Sequence, residues 1–225
     1  MEKQTSILST KTLTVDQRKA FINAEIDLLE QDFIEIENLD FELKNINQNL
    51  IFSSQNAVLS LIEQPNWEVL KTKTAFCVGI KTMELLEQNG FKVDVYLDYA
   101  SELAEIITLI YNSDTFTFFS GNLRKETLPK ALKNAGIQFN EIEVYQTKLA
   151  PLKISKEEKF DGILFFSPSG VESFLKDNKI KTETCFCIGD TTAAALQNIT
   201  KNIILAPNPT IDDVIESCLE KYQAS

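Results

Sequence analysis

The chain has 225 residues and not one histidine. Ser-His-Asp and Cys-His nucleophilic catalysis are therefore excluded, and zinc loses its commonest nitrogen ligand. Four cysteines in a chain of this length do not make a disulfide framework. Cys185 and Cys187 stand one residue apart, which on a strand puts two small side chains on one face. Their spacing predicts core packing rather than metal or redox chemistry, because no second pair stands at ligand spacing. No apolar run approaches the roughly 18 residues of a membrane span, and the opening Met-Glu-Lys-Gln-Thr-Ser lacks the apolar stretch of a signal peptide. The expected setting is the cytoplasm, away from membranes. Bases are in deficit, 22 against 33 acids, for a net charge of −11. Nucleic acid is an unsuitable partner for such a chain, since binding it takes a basic face. An anionic small molecule remains compatible where local donors outweigh the overall field.

What is present is an ordinary globular mixture, 44% apolar and 24% charged. At about 150 residues per domain the length allows one large domain or two small ones. Short strands are expected over residues 7–10, 50–52, 74–78, 93–97, 115–119, 162–166, 184–188 and 203–205. Helices are expected over 16–31, 57–63, 81–89, 101–111, 124–134, 170–176, 191–197 and 211–221. Ser101 is placed to cap one helix, and Gly90 and Gly136 stand just beyond two others. Two segments, 33–37 and 141–147, alternate as extended chain. Strands alternating with helices argue for an α/β fold of parallel sheets flanked by helices.

An internal repeat divides the pattern. Phe52-Ser53-Ser54-Gln55-Asn56-Ala57-Val58 matches Phe165-Phe166-Ser167-Pro168-Ser169-Gly170-Val171, and Phe76-Cys77-Val78-Gly79 matches Phe186-Cys187-Ile188-Gly189. Two similar domains follow: one continuous over 42–143, the other split into 1–36 and 150–225, with the N-terminal strand joining the second. The crossings, 33–41 and 141–149, are expected to pair as a two-stranded antiparallel hinge.

Small polar clusters close most strands: Ser9-Thr10, Ser53-Ser54, Gly79, Ser120-Gly121-Asn122, Ser167-Pro168-Ser169-Gly170 and Gly189-Asp190-Thr191-Thr192. Ligands of open α/β sheets bind beyond the carboxyl ends of strands, where helix N-termini offer unpaired N–H groups and a positive dipole end. Such turns take carboxylate or phosphate without a cationic side chain; equally, Ser, Thr and Asn simply cap the helices that follow. No Walker loop and no G-x-G-x-x-G appears. Lys11, Lys81, Arg124 and Lys125 are the bases near strand ends. Tyr145 lies on the second crossing, either as a packing residue or with its hydroxyl aimed at a ligand.

Leu164-Phe165-Phe166-Ser167-Pro168-Ser169-Gly170-Val171 resembles the signature strand-turn of the uroporphyrinogen-III synthase family. Ser120-Gly121-Asn122-Leu123-Arg124 with Leu128-Pro129 and Leu132, Val144-Tyr145-Gln146-Thr147, and Cys187-Ile188-Gly189-Asp190-Thr191-Thr192-Ala193-Ala194-Ala195-Leu196 resemble it too. The resemblance spans nearly the whole chain. It implies two α/β domains on a two-stranded hinge and an activity without metal or organic cofactor. The family converts hydroxymethylbilane, a linear tetrapyrrole rich in carboxylates, into uroporphyrinogen III, losing water and inverting ring D. In that light Tyr145 is the expected catalytic residue, assisting departure of the hydroxyl. Thr10, Lys11, Ser54, Thr82, Ser120, Gly121, Asn122, Ser167, Ser169, Gly170, Thr191 and Thr192 are the expected substrate-binding set, around an interdomain cleft in a monomer. The rival reading is a non-catalytic bilobal protein that binds a small anion; it leaves the 164–171 and 144–147 motifs unexplained.

Overall fold

The computed structural model describes residues 4–223. The first elements are β1 (Ser6–Ser9), α1 (Val15–Asn23), β2 (Asp27–Glu30) and β3 (Ile34–Asn38). There follow β4 (Asn49–Phe52), α2 (Gln55–Ile62), β5 (Thr74–Val78), α3 (Ile80–Gln88), β6 (Lys92–Leu97), α4 (Ala100–Ile110), β7 (Thr115–Gly121), α5 (Thr127–Asn134) and β8 (Gln138–Leu149). The chain closes with β9 (Gly162–Phe165), α6 (Pro168–Asp177), β10 (Thr184–Cys187), α7 (Asp190–Ala194), β11 (Ile203–Leu205) and α8 (Ile211–Gln223).

The chain forms two compact units. One takes the chain up to Glu35 and again from Lys148; the other is the continuous stretch Ile36–Thr147. The first holds a sheet of order β11-β10-β9-β1-β2, in which every pair is parallel. The second holds the order β3-β8-β7-β4-β5-β6, parallel from β8 to β6. The crossing segments β3 and β8 are neighbours. Leu39 N–H donates to the Val144 carbonyl and Ala150 N–H to that of Phe33, each at 3.0 Å, so the two run antiparallel.

Alternation along the strands explains why both faces of each sheet are covered. In β4, Leu50 and Phe52 join one core with Val58 and Leu61 of α2 and Leu86 of α3. Ile51, between them, joins the opposite core with Leu103 and Ile107 of α4 and Leu128 and Leu132 of α5. In the other unit Leu164 packs with Phe21 of α1 and Val214 and Cys218 of α8. Ile163 and Phe165 pack the other way, against Val171 and Phe174 of α6.

The repeat extends to topology. β11-β10-β9-β1-β2 reproduces β6-β5-β4-β7-β8, with α6, α7, α8 and α1 in the places of α2, α3, α4 and α5. Apart from the extra edge strand β3, the units differ in chain order: the strand–helix–strand that ends one comes first in the other.

Four local expectations are corrected. The helix expected over 16–31 stops at Asn23, and Asp27–Glu30 is a strand. Glu25 ends the helix in the left-handed region, φ 55°, with Glu25 N–H on the Ile22 carbonyl and Ile26 N–H on that of Phe21. Ser101 does not cap α4: the cap position is Tyr99, whose carbonyl takes the first helical bond from Leu103 at 3.1 Å. Ser120 and Gly121 belong to β7 and not to the turn beyond it, because pairing with β8 continues to Gly121. The helix expected from 124 begins at Thr127. Among the described residues, no helix is long and apolar enough to cross a membrane.

Candidate functional site

In each unit the strand order reverses once, between β4 and β7 in one and between β9 and β1 in the other. Such a switch opens a crevice outside the carboxyl ends of the two strands, because their following helices leave on opposite faces. The nominated turns stand there: Ser54 after β4, Asn122 after β7, Ser167 and Ser169 after β9, Thr10 and Lys11 after β1.

Ser54 and Ser167 occupy equivalent cap positions. The Ser54 hydroxyl accepts from Asn56 N–H at 3.1 Å, and that of Ser167 from Gly170 N–H at 3.0 Å. Each oxygen satisfies one helical N–H, and the Ser54 and Ser167 carbonyls take the next, from Ala57 and Val171; Pro168 at the head of α6 has no N–H to offer. Ser169 Oγ lies 3.0 Å from Ser167 Oγ, and both residues are half-buried. Thr10 joins this cluster from β1. A Cβ at Gly170 would lie 3.8 Å from Thr10 Oγ1 and 3.2 Å from Ser167 Oγ. The Thr10 hydroxyl is buried and donates to the Leu164 carbonyl at 2.7 Å, so it ties β1 to β9. Lys11 is exposed, with its own carbonyl held by Ser9 Oγ at 2.5 Å.

In the other unit the nominated residues form a socket around Tyr145. β7 and β8 pair Ser120 with Glu143 but Gly121 with Tyr145, so Val144 is the extra residue of a bulge. The displaced Val144 carbonyl accepts from the buried Ser60 hydroxyl of α2 and from Leu39 N–H. The bulge brings the Tyr145 ring against Gly121, where a Cβ would lie 2.5 Å from Cε2. Asn122 N–H donates to the Tyr145 carbonyl at 3.3 Å; its amide accepts from Thr147 N–H at 2.8 Å and donates to the Thr147 carbonyl at 3.3 Å. Ser120 is buried and donates to Glu141 at 2.7 Å. The Tyr145 ring packs on the α2–α3 core, and among the described residues its hydroxyl makes no hydrogen bond.

Thr82 and Thr192 sit at matched places, three residues beyond Gly79 and Gly189, each with its N–H on that glycine's carbonyl at 3.1 and 3.0 Å. Both are buried, while Thr191 is exposed. α7 has only five residues, so little helix dipole stands behind its turn.

Arg124, read from sequence as a local base, is neutralised from within. Glu141 and Glu126 both pair with it, and these contacts push the guanidinium further up. Glu141 and Ser60 were invisible as partners in the sequence, since nothing there gives the register of β8. All four cysteines are buried, and burial pushes each thiol up to about 12. A cavity of about 490 Å³ between α1 and α8 is bordered by Asp16, Asp212 and Glu216. That is the wrong sign for an anionic ligand.

Two α/β units of one topology, each with a crevice at its own switch point, define a duplicated α/β protein. The chain belongs to the uroporphyrinogen-III synthase HemD family, whose model matches residues 18–216. It is 26% identical to the uroporphyrinogen-III synthase of Saccharomyces cerevisiae over an alignment of 263 residues, covering 96% of this chain and 95% of the yeast protein. The uroporphyrinogen-III synthetase of Helicobacter pylori shares the fold, with a TM-score of 0.74 at 24% identity, over 97% of this chain and 100% of that one. A mutant uroporphyrinogen III synthase of the extremely thermophilic bacterium Thermus thermophilus follows at 0.69 and 13%, over 98% and 99%.

Proposed function

We infer that the chain is a uroporphyrinogen-III synthase: it cyclises hydroxymethylbilane to uroporphyrinogen III with loss of water and inversion of ring D. The observation that carries this is the family match over residues 18–216, with the yeast synthase aligned along 96% of the chain. The turns at the two switch points supply what a polycarboxylate needs, helix N–H groups and hydroxyls on a chain of net charge −11. Ser54, Ser167, Ser169, Lys11 and Thr191 meet the acetate and propionate groups. Thr10, Thr82, Gly170 and Thr192 shape the turns from beneath, and Ser120, Gly121 and Asn122 hold the strand that carries Tyr145.

Tyr145 has the one hydroxyl in this set attached to an aromatic ring anchored in the core. It gives its proton to the departing hydroxyl, which leaves as water, and takes a proton back when ring D is finally deprotonated. The substituted carbon of ring D attacks the azafulvene cation so formed, the spiro intermediate opens and recloses inverted, and ring D then loses a proton to restore the pyrrole. Holding the linear substrate folded so that ring D presents that carbon lowers the barrier most; preorganised dipoles stabilise the developing charge. The reaction needs no added cofactor, and the chain works as a monomer in the cytoplasm without nucleic acid. Its acidity and its four buried thiols suit that setting.

The test is isomer analysis. Hydroxymethylbilane is incubated with the protein, the product is oxidised to porphyrin, and the isomers are separated. Type III is expected; closure without catalysis gives type I. Type I alone at saturating protein rejects the assignment.

A further inference from the structure

We propose that Asn122 is a positioning residue for Tyr145, closing a clamp on the strand immediately around it, and is not a ligand for substrate carboxylates. The inference rests on the reading of Tyr145 given above. Three hydrogen bonds carry it. Asn122 N–H holds the Tyr145 carbonyl, and the Asn122 side chain takes both the N–H and the carbonyl of Thr147. The amide is therefore engaged at both ends before any ligand arrives. Its two bonds fall on the second residue after Tyr145, which in extended chain faces the same side.

The clamp acts where the strand most needs it. The bulge at Val144 interrupts the ladder between β7 and β8 beside Tyr145, so on that edge the regular pairing that fixes a side chain's direction is lost, while the other edge stays on β3. On one side of the bulge Ser60 and Leu39 hold the Val144 carbonyl. On the other, β7 pairing ends at Gly121, and Asn122 continues the hold on that edge of β8. Gly121 completes the socket, because the ring of Tyr145 occupies the volume a side chain at 121 would fill. The ring is thus fixed from below by a missing Cβ and along the strand by an amide. The hydroxyl beyond it has no partner among the described residues. Without the amide, residues 145–147 keep β3 on one edge but lose their hold on the β7 side, and the hydroxyl moves off the point where the leaving oxygen sits. A misplacement near 1 Å is enough to cost up to about 10²-fold in rate.

A double-mutant cycle of Asn122→Ala and Tyr145→Phe tests this, with kcat, KM and the type III fraction measured beside melting temperature. Asn122→Ala lowers kcat about tenfold with KM within about twofold, whereas loss of a carboxylate ligand would raise KM. In the Tyr145→Phe background the same change costs less than about twofold, since there is no hydroxyl left to position. Independent, multiplying losses overturn the proposal, as does a rise in KM that accounts for the effect. Full activity in Tyr145→Phe overturns it too, by removing the group to be positioned, while leaving the synthase assignment intact. A wild-type protein that yields no type III isomer sinks the assignment itself.

Discussion

The ring of Tyr145 occupies the space that a side chain on Gly121 would need, with 2.5 Å from a Cβ at that position to the ring's Cε2. Gly121 is required here for close approach and not for an unusual backbone angle, since its φ is not positive. Gly121→Ala is expected to destabilise the protein by about 1–3 kcal/mol through overpacking and to lower type III formation as the ring is pushed aside. In a Tyr145→Ala background the added methyl meets no ring and costs little. Equal penalties in both backgrounds, measured by urea denaturation, would count against the ring as the obstacle.

Tyr145→Phe removes only the hydroxyl, because the ring still packs on the α2–α3 core. The melting temperature is expected to stay put and kcat to fall by about 10²-fold or less, the lower end for an assisting proton donor. The electron-rich pyrrole already expels its hydroxyl readily. A stable variant with full turnover would leave catalysis to substrate folding alone.

The start of α8 carries a pH-dependent cap. The Thr210 hydroxyl and the Asn208 amide both donate to Asp213, and these bonds hold its carboxyl below the usual range. Asp213 N–H returns a bond to Thr210 Oγ1 at 3.1 Å. A carboxylate depressed in the folded state contributes stability that is full above its unfolded value, ~3.9, and is lost as pH falls through the folded value. Thr210→Ala is expected to cost about 1 kcal/mol at neutral pH. Part of that penalty disappears in acid. Thermal melts of both proteins across pH 7 to 3 check this, and a pH-independent difference would refute the charge component.

Alkali acts in the opposite sense. The four thiols are pushed up to about 12 by burial, whereas unfolded cysteine ionises near 8.5. Above that lower value the unfolded chain holds fewer protons than the folded one, so stability falls as pH rises. Each thiol contributes a slope of up to ~1.4 kcal/mol per pH unit in that window. Cys77→Ala is expected to show a shallower loss between pH 9 and 11 in denaturant titrations. A slope unchanged from the parent would mean that the Cys77 thiol ionises freely in the fold.

Three helices end in the same way, and the sequence displays only two of the endings. Gly90 and Gly136 take positive φ after α3 and α5, with Phe91 N–H on the Leu86 carbonyl and Ile137 N–H on that of Leu132. Both stops were legible because glycine adopts that conformation at little cost. α1 closes with the same pair of bonds, but its left-handed residue is Glu25. Without a glycine, Leu28 and Leu29 read as two more residues on a helical face. The repeat held the missing signal: α1 stands where α5 stands, so a strand had to follow it as β8 follows α5. The turns at the switch points were legible for a related reason, since Ser54 and Ser167 hold equivalent cap positions. The bulge was not, because it depends on which residue of β7 faces which residue of β8 across a gap in the chain.

The circular reordering of one unit sets a timetable for synthesis. β1 needs β9 on its inner edge, yet β9 leaves the ribosome only after the whole of Ile36–Thr147 has been made. At about 5–20 residues per second β1 waits of order 10 s with β2 on one edge and nothing on the other. Leu8, fully enclosed in the finished molecule, is bare to the cell during that interval. In the continuous unit the equivalent strand pair, β4 and β7, is divided by a much shorter stretch of chain, and the longest wait falls on the crossing strand β3, for β8. Nascent chains stalled just short of Gly162 should therefore engage chaperones through their first thirty residues, and release them once the last third of the chain arrives.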